Sequence, residues 1–293
     1  MIYSMALCYA HGNDAAIQIA VSVSGSVEEF AKLMNKKAEE LNLEHTHFVT
    51  PHGLDESEHY TTAYELAKIA DYALNIEKIS EIVKTKTYTV KINGNSKTIT
   101  NTNELLGYLN GVEGVKTGFT NGAGRCLVTS VDRNNFNIIT VVLGADTKKM
   151  RTRDSIKLIE YIYSNYELVN LEDIINEEFN KWSKINKNRI FIYKGKNQNI
   201  EIELENYNYK IYPVKKDSVK DINIEFKNLN MYFEAPIYKG TNIGNLILNI
   251  GDETLMDIRI ITKEGSERKG IKEYMLECLK SMSMGTVLFD TKK

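Results

Sequence analysis

Two short elements of this chain carry side chains from which polar and acid–base sites are built: His11-Gly12-Asn13-Asp14 and Lys116-Thr117-Gly118. They supply an imidazole that titrates near neutrality, an amide, a fixed ammonium and a hydroxyl. Either string alone says little, because tripeptides recur by chance and a lysine on a strand is most often a solvated side chain. A second group, His45, His47, His52 and His59, invites a metal reading. Its segment holds no cysteine and its spacing fits no standard zinc pattern, so we expect no metal there, and no cofactor is expected. The cysteines, Cys8, Cys126 and Cys278, form no CxxC pair and no disulfide framework and are expected to be buried or free thiols.

The elements that must position these residues follow from hydrophobic spacing. A helical pattern runs from Ile2 to Leu7, and Asp14 is placed to cap a helix starting at Ala15. Phe30, Leu33, Met34, Ala38 and Leu41 predict a helix over 27–41, with Ser26 as cap and Glu29 completing a capping box. A further helix is expected over 61–74, and an ordered loop joins the two through Thr46 to Leu54. Segments 86–92 and 96–100 flank Asn93-Gly94, a hairpin signal. Strands are expected at 114–119, which carries Lys116, at 124–131 and at 138–143, followed by a helix over 152–163. Consecutive strands suggest an antiparallel sheet. From about Leu171 to Lys263, short alternating runs separated by turn residues read as an all-β domain. Ile271, Tyr274, Met275, Cys278, Leu279 and Met282 then form one helical stripe, opposite Lys272, Glu273, Glu277 and Lys280. That helix either docks on a core or lies on a membrane surface.

The chain has 293 residues, 42% hydrophobic and 26% charged, with a net charge of −2. This suits a soluble globular protein of two domains. No Lys/Arg-rich block points to nucleic acid. No apolar run reaches the length of a membrane span, and the first residues lack the pattern of a signal peptide.

The order of the elements, a Gly-Asn turn, two helices and then Lys-Thr-Gly on a strand, matches the second and third motifs of the active-site serine enzymes that react with penicillin. The chain resembles the low-molecular-mass penicillin-binding D-alanyl-D-alanine carboxypeptidases. The resemblance rests on Leu33-Met34-Asn35, His47-Phe48-Val49, Pro51-His52-Gly53-Leu54, His59-Tyr60-Thr61-Thr62-Ala63, Gly114 to Thr120, Gly124-Arg125-Cys126-Leu127 and Ala235 to Gly240. It implies an α+β fold: a β-lactamase/transpeptidase-like domain over 1–168, a small β-sandwich over 169–265 and an amphipathic tail helix over 266–293. It also implies acyl-serine chemistry that removes the terminal D-alanine of peptidoglycan stem peptides, outside the cytoplasmic membrane, and acylation by β-lactams of the full-length form. Under it, Lys116 meets the substrate carboxylate, Thr117 adds a hydroxyl, the N–H of Phe119 after Gly118 supplies half of an oxyanion hole, and Asn13 bonds the substrate amide. Family members often anchor through a C-terminal amphipathic helix, which moves the reading of the tail toward the membrane.

Two departures qualify that expectation. Only ten residues precede His11; their sole serine is Ser4, and the residue three later is Leu7, so no Ser-x-x-Lys stands upstream of the second motif. His11 itself occupies the place of that motif's serine. The chain as it stands is therefore expected to lack nucleophile and general base, to be inactive, and to fold poorly for want of a central helix and strands. The alternative is a catalytically dead protein that holds peptidoglycan peptides or other partners.

Overall fold

The computed structural model describes residues 12–92 and 95–289. His11, the 2–7 helix pattern and Asn93-Gly94 lie outside them. The chain divides into two compact units, the first ending at Ser164 and the second beginning at Asn165.

The first unit mixes helices with an antiparallel sheet. Helix α1 spans Asn13–Ser24. Its cap is Gly12, with no side-chain cap bond, and Asp14 lies in the first turn. The expected Asp14 cap is thus displaced by two residues: Asn13 already has helical geometry, and the acidic side chain instead faces the positive end of the helix. Helix α2, Val27–Glu40, is capped as the sequence indicates, with the Ser26 hydroxyl accepting from Glu29 N–H. Ile17, Val21, Val23 and Leu33 of this pair remain exposed.

Helix α3, Ala63–Leu74, is capped by Thr62. It is followed by α4, Glu77–Lys84, which the sequence reading did not anticipate. The hairpin strands β1, Thr87–Ile92, and β2, Asn95–Thr100, pair antiparallel. The main sheet runs β3 (Val112–Thr120), β4 (Gly124–Arg133) and β5 (Phe136–Ala145), in the order β3-β4-β5. Helix α5, Lys148–Asn165, closes the unit and begins four residues earlier than expected. Leu105, Leu127, Val131 and Ile159 form a core with the partly buried Leu109, Val112, Ile138, Ile156 and Tyr163 packed against it. The sheet thereby packs on α5 and on the loop before β3.

The second unit is organised round one apolar core. A four-stranded antiparallel sheet has the order β10 (Ile222–Lys227), β12 (Asn242–Ile250), β13 (Glu253–Thr262), β8 (Ile202–Leu204). Strands β7 (Phe191–Tyr193) and β11 (Tyr232–Glu234) form a parallel pair, and β6 (Tyr166–Asn170) pairs with β9 (Ile211–Lys215). Ile190, Ile192, Leu246, Leu248, Ile258 and Ile260 meet in the core these strands feed. The domain is not all-β, however. Helix α6 covers Leu171–Asn186, with the Asn170 side chain accepting from Asp173 N–H as its cap. Leu171, Ile174, Ile175, Phe179 and Trp182 recur at helical spacing and enter or flank the core, and Trp182 stacks on Phe226 at 4.8 Å between ring centroids. The abundant strands beyond it masked this stripe in the sequence.

Helix α7, Ile271–Phe289, carries the expected stripe. Ile271 is 80% exposed, and Met275, Leu279 and Met282 are exposed as well. Tyr274 of the same stripe is partly buried. No helix among the described residues is long and apolar enough to cross a membrane.

Candidate functional site

Strand β3 gathers Lys116, Thr117, Gly118 and Phe119, paired in register with Val128, Leu127, Cys126 and Arg125 of β4. It is an edge strand of its sheet among the described residues. The strand is anchored at both ends by contacts distant in sequence. Before the motif, Gly114 sits at a bulge with φ +117°, where an added Cβ would fall 2.5 Å from the Val83 carbonyl oxygen of α4. Glycine is required there on two counts, left-handed backbone and close approach. After the motif, the Asp55 carboxylate accepts from the Thr120 hydroxyl at 2.6 Å and from Gly122 N–H at 3.2 Å.

Within the motif, Thr117 is buried and its hydroxyl pairs with that of Thr102 at 2.6 Å. The Lys116 ammonium donates to the Thr117 carbonyl at 2.7 Å, which keeps the charge beside the strand. Gly118 is not demanded by packing, since a Cβ there would meet only the Cys126 Cβ at 3.6 Å. Its bare backbone instead leaves room for a ligand to approach the strand closely. Phe119 is half exposed, and the Arg125 guanidinium lies 3.6 Å from its ring centroid. Asn13, half-buried, opens α1 directly after Gly12.

The surrounding loops are fixed by polar side chains. Asn35 bonds both backbone groups of Phe48, donating to its carbonyl at 2.8 Å and accepting from its N–H at 2.7 Å. Glu65 accepts from Thr46 at 2.5 Å and from His45 N–H at 2.9 Å. Burial acts to raise its carboxyl pKa, but these bonds outweigh burial and hold it below the usual value. The histidines serve the loop: His59 Nδ1 accepts from Val49 N–H at 3.0 Å, His52 Nδ1 from Leu54 N–H at 3.2 Å, and His47 Nδ1 lies 2.6 Å from the Glu58 carbonyl. Burial lowers the His59 pKa, favouring the neutral ring that this acceptor role needs.

Behind the motif, the buried Arg151 of α5 donates to both Glu104 oxygens, at 2.6 and 2.7 Å, and Thr152 donates to the same carboxylate. This ties the loop that carries Thr102 to α5. Sequence reasoning missed Asp55, Thr102, Glu104 and Arg151, whose partners lie 15 to 67 positions away. It also passed over a Ser-x-x-Lys string at Ser266-Glu267-Arg268-Lys269. This string is not helical: Ser266 is buried, exchanges hydrogen bonds with the Asn197 backbone and pairs with Ile237 in an isolated bridge. Serine and lysine there do not share a helix face, and the hydroxyl is committed to structure.

Residues 2–147 match the family model for D-alanyl-D-alanine carboxypeptidase, and residues 180–268 match that for the penicillin-binding protein 5 C-terminal domain. The chain is 34% identical to D-alanyl-D-alanine carboxypeptidase DacF of Bacillus subtilis over 92% of its own length and 67% of the relative's. Its fold is that of D-alanyl-D-alanine carboxypeptidase DacD from Francisella tularensis, with a TM-score of 0.69 at 23% identity over 92% of this chain and 75% of that one. Penicillin-binding protein D2 of Listeria monocytogenes, solved in a cefotaxime-bound form, is 30% identical over 54% of this chain and 65% of that one, with a TM-score of 0.50. The chain spans about two thirds or less of the length of the curated relatives it matches. With a motif strand held as these contacts hold it, and with both units matched, the chain belongs to the D-alanyl-D-alanine carboxypeptidase family of serine-type penicillin-binding proteins.

Proposed function

We propose that this chain carries the carboxylate-binding half of a D-alanyl-D-alanine carboxypeptidase site, acting on peptidoglycan stem peptides by acyl-serine chemistry. The observation that carries the reading is β3: an edge strand that presents Lys116, buried Thr117 and bare Gly118 in sequence. In this role Lys116 meets the terminal carboxylate as a point charge, and Thr117 adds a hydroxyl donor. The Phe119 N–H contributes to an oxyanion hole, where aligned donors stabilise the tetrahedral intermediate. Asn13 hydrogen-bonds the substrate amide, and His11 stands where the second motif has its serine. β-Lactams are ligands by the same logic, since they carry the same carboxylate. The site belongs on the outer face of the cell membrane, where the substrate is, and the open stripe of α7 supports contact with a membrane surface.

A second reading, a binding protein for peptidoglycan peptides without turnover, is favoured by His11 in place of serine and by the structural use of Ser266. Titration with a diacetylated tripeptide ending in D-Ala-D-Ala, with D-alanine release measured alongside, separates the two. Saturable binding with release supports the carboxypeptidase, binding without release supports the second reading, and absence of binding refutes both.

A further inference from the structure

The loop before β3 is held still by the side chains on either side of Thr102. The buried Asn101 amide donates to the Val83 carbonyl at 3.2 Å and to the Thr85 carbonyl at 3.3 Å, and its own oxygen accepts from Asn103 N–H at 3.0 Å. The buried Asn103 oxygen accepts from Leu105 N–H at 3.1 Å. Glu104 is held by Arg151 and Thr152 of α5, and Leu105 is fully buried in the core. Thr102 is directed instead at β3, where its hydroxyl stands 2.6 Å from that of Thr117. That separation is a well-formed O–H···O bond. Each hydroxyl owns one proton and two lone pairs, so the pair uses one proton between its members and leaves the other to point elsewhere. With Thr102 as donor, the Thr117 proton is left for a ligand beside Lys116. With Thr117 as donor, that proton is already engaged. An anion beside Lys116 favours the first arrangement, because a hydroxyl that accepts one hydrogen bond donates the next more strongly.

We propose that Thr102 is a positioning residue of this site: it donates to the Thr117 hydroxyl and so turns the Thr117 proton toward the carboxylate that Lys116 attracts. The proposal rests on the reading of β3 as the carboxylate-binding strand. Thr102 acts through Thr117 and not on the ligand, so its effect must vanish when Thr117 has no hydroxyl. A role in holding the loop alone has no such dependence, since Asn101, Asn103 and Glu104 anchor the loop whatever Thr117 carries.

The test is calorimetric titration of the full chain with a diacetylated tripeptide ending in D-Ala-D-Ala. It compares the wild-type chain with Thr102→Val, Thr102→Ser, Thr117→Val and the double valine variant. Thr102→Val is expected to weaken binding about three- to tenfold, the worth of one neutral hydrogen bond, and Thr102→Ser to recover most of that loss. Added to Thr117→Val, the Thr102→Val change should cost nothing further. Unchanged affinity in Thr102→Val overturns the proposal. So does an equal loss with and without the Thr117 hydroxyl, or a loss in Thr102→Ser as large as in Thr102→Val, which assigns the effect to packing of the methyl group. Binding that falls in Lys116→Met but not in Thr102→Val overturns this proposal and leaves the reading of β3 standing; absence of binding by the wild-type chain overturns both.

Discussion

Removing the charge of Glu104 should destabilise the first unit in a way that depends on Arg151. The Arg151 side chain is 4% exposed and that of Glu104 25%. Arg151 donates to both Glu104 oxygens and, at 3.5 Å, to the Cys126 carbonyl on β4. Breaking a buried ion pair by deleting one partner costs about 3–5 kcal/mol, because the survivor is left uncompensated. Glu104 is partly hydrated, so water moderates the loss, and about 3 kcal/mol is expected for Glu104→Gln. At roughly 2–4 °C per kcal/mol for a unit of this size, the melt shifts down by roughly 6–12 °C. Arg151→Met strands only a carboxylate that can turn to solvent and to Lys148, 3.9 Å away, and should cost about 2 kcal/mol. The double variant should cost no more than Glu104→Gln alone, since it removes the stranded charge. Urea unfolding followed by far-UV circular dichroism measures all three. The single tryptophan, Trp182, belongs to the second unit, so its fluorescence transition should not move and serves as an internal control. An additive double variant, near 5 kcal/mol, would refute the coupling.

Titration gives further expectations. Burial raises the Glu104 carboxyl, but bonds from Thr152, the backbone and Arg151 outweigh it and leave the folded pKa below the ordinary value of 4.5. Its contribution is therefore present above about pH 4.5 and lost as pH falls through the folded value, and Glu104→Gln should flatten that acid limb of stability. Burial raises Tyr163 from 10.0 to about 12, so its contribution is full below pH 10 and lost between 10 and 12; Tyr163→Phe should remove that alkaline loss. Gly114→Ala should destabilise the first unit by about 2 kcal/mol or more, through the Val83 carbonyl and the positive φ, and a melt unchanged within 1 °C would contradict it. Vesicles of anionic lipid should bind the chain through α7, and Leu279→Glu with Met282→Glu should abolish co-sedimentation.

The parts of this molecule legible in the sequence are those fixed by local rules. The Ser26 cap, the amphipathic period of α2 and the strand pattern around Lys116 are each set by neighbours within a few residues, and the motif strand fell where its spacing placed it. Helix α4 escaped because eight residues carry little periodic signal, and α6 because the alternating runs that follow it drew the whole segment into a strand reading. The supports of the site were not legible at all. Thr102, Asp55 and the Glu104–Arg151 pair are ordinary polar residues until folding brings them to β3, and nothing local distinguishes Asp55 from other loop acids. The Ser266–Lys269 string shows the converse: correct spacing without a helix places no serine beside a lysine.

The most direct test of the central claim is the affinity of the chain for a diacetylated tripeptide ending in D-Ala-D-Ala, measured by calorimetry for the wild-type chain and for Lys116→Met. The account predicts saturable binding that falls at least tenfold in the variant, as loss of a charge-assisted contact of about 1.5–3 kcal/mol requires, and that falls similarly when the peptide carboxylate is amidated. Equal affinity of wild type and variant, or indifference to amidation, would contradict the assignment of Lys116 to the substrate carboxylate.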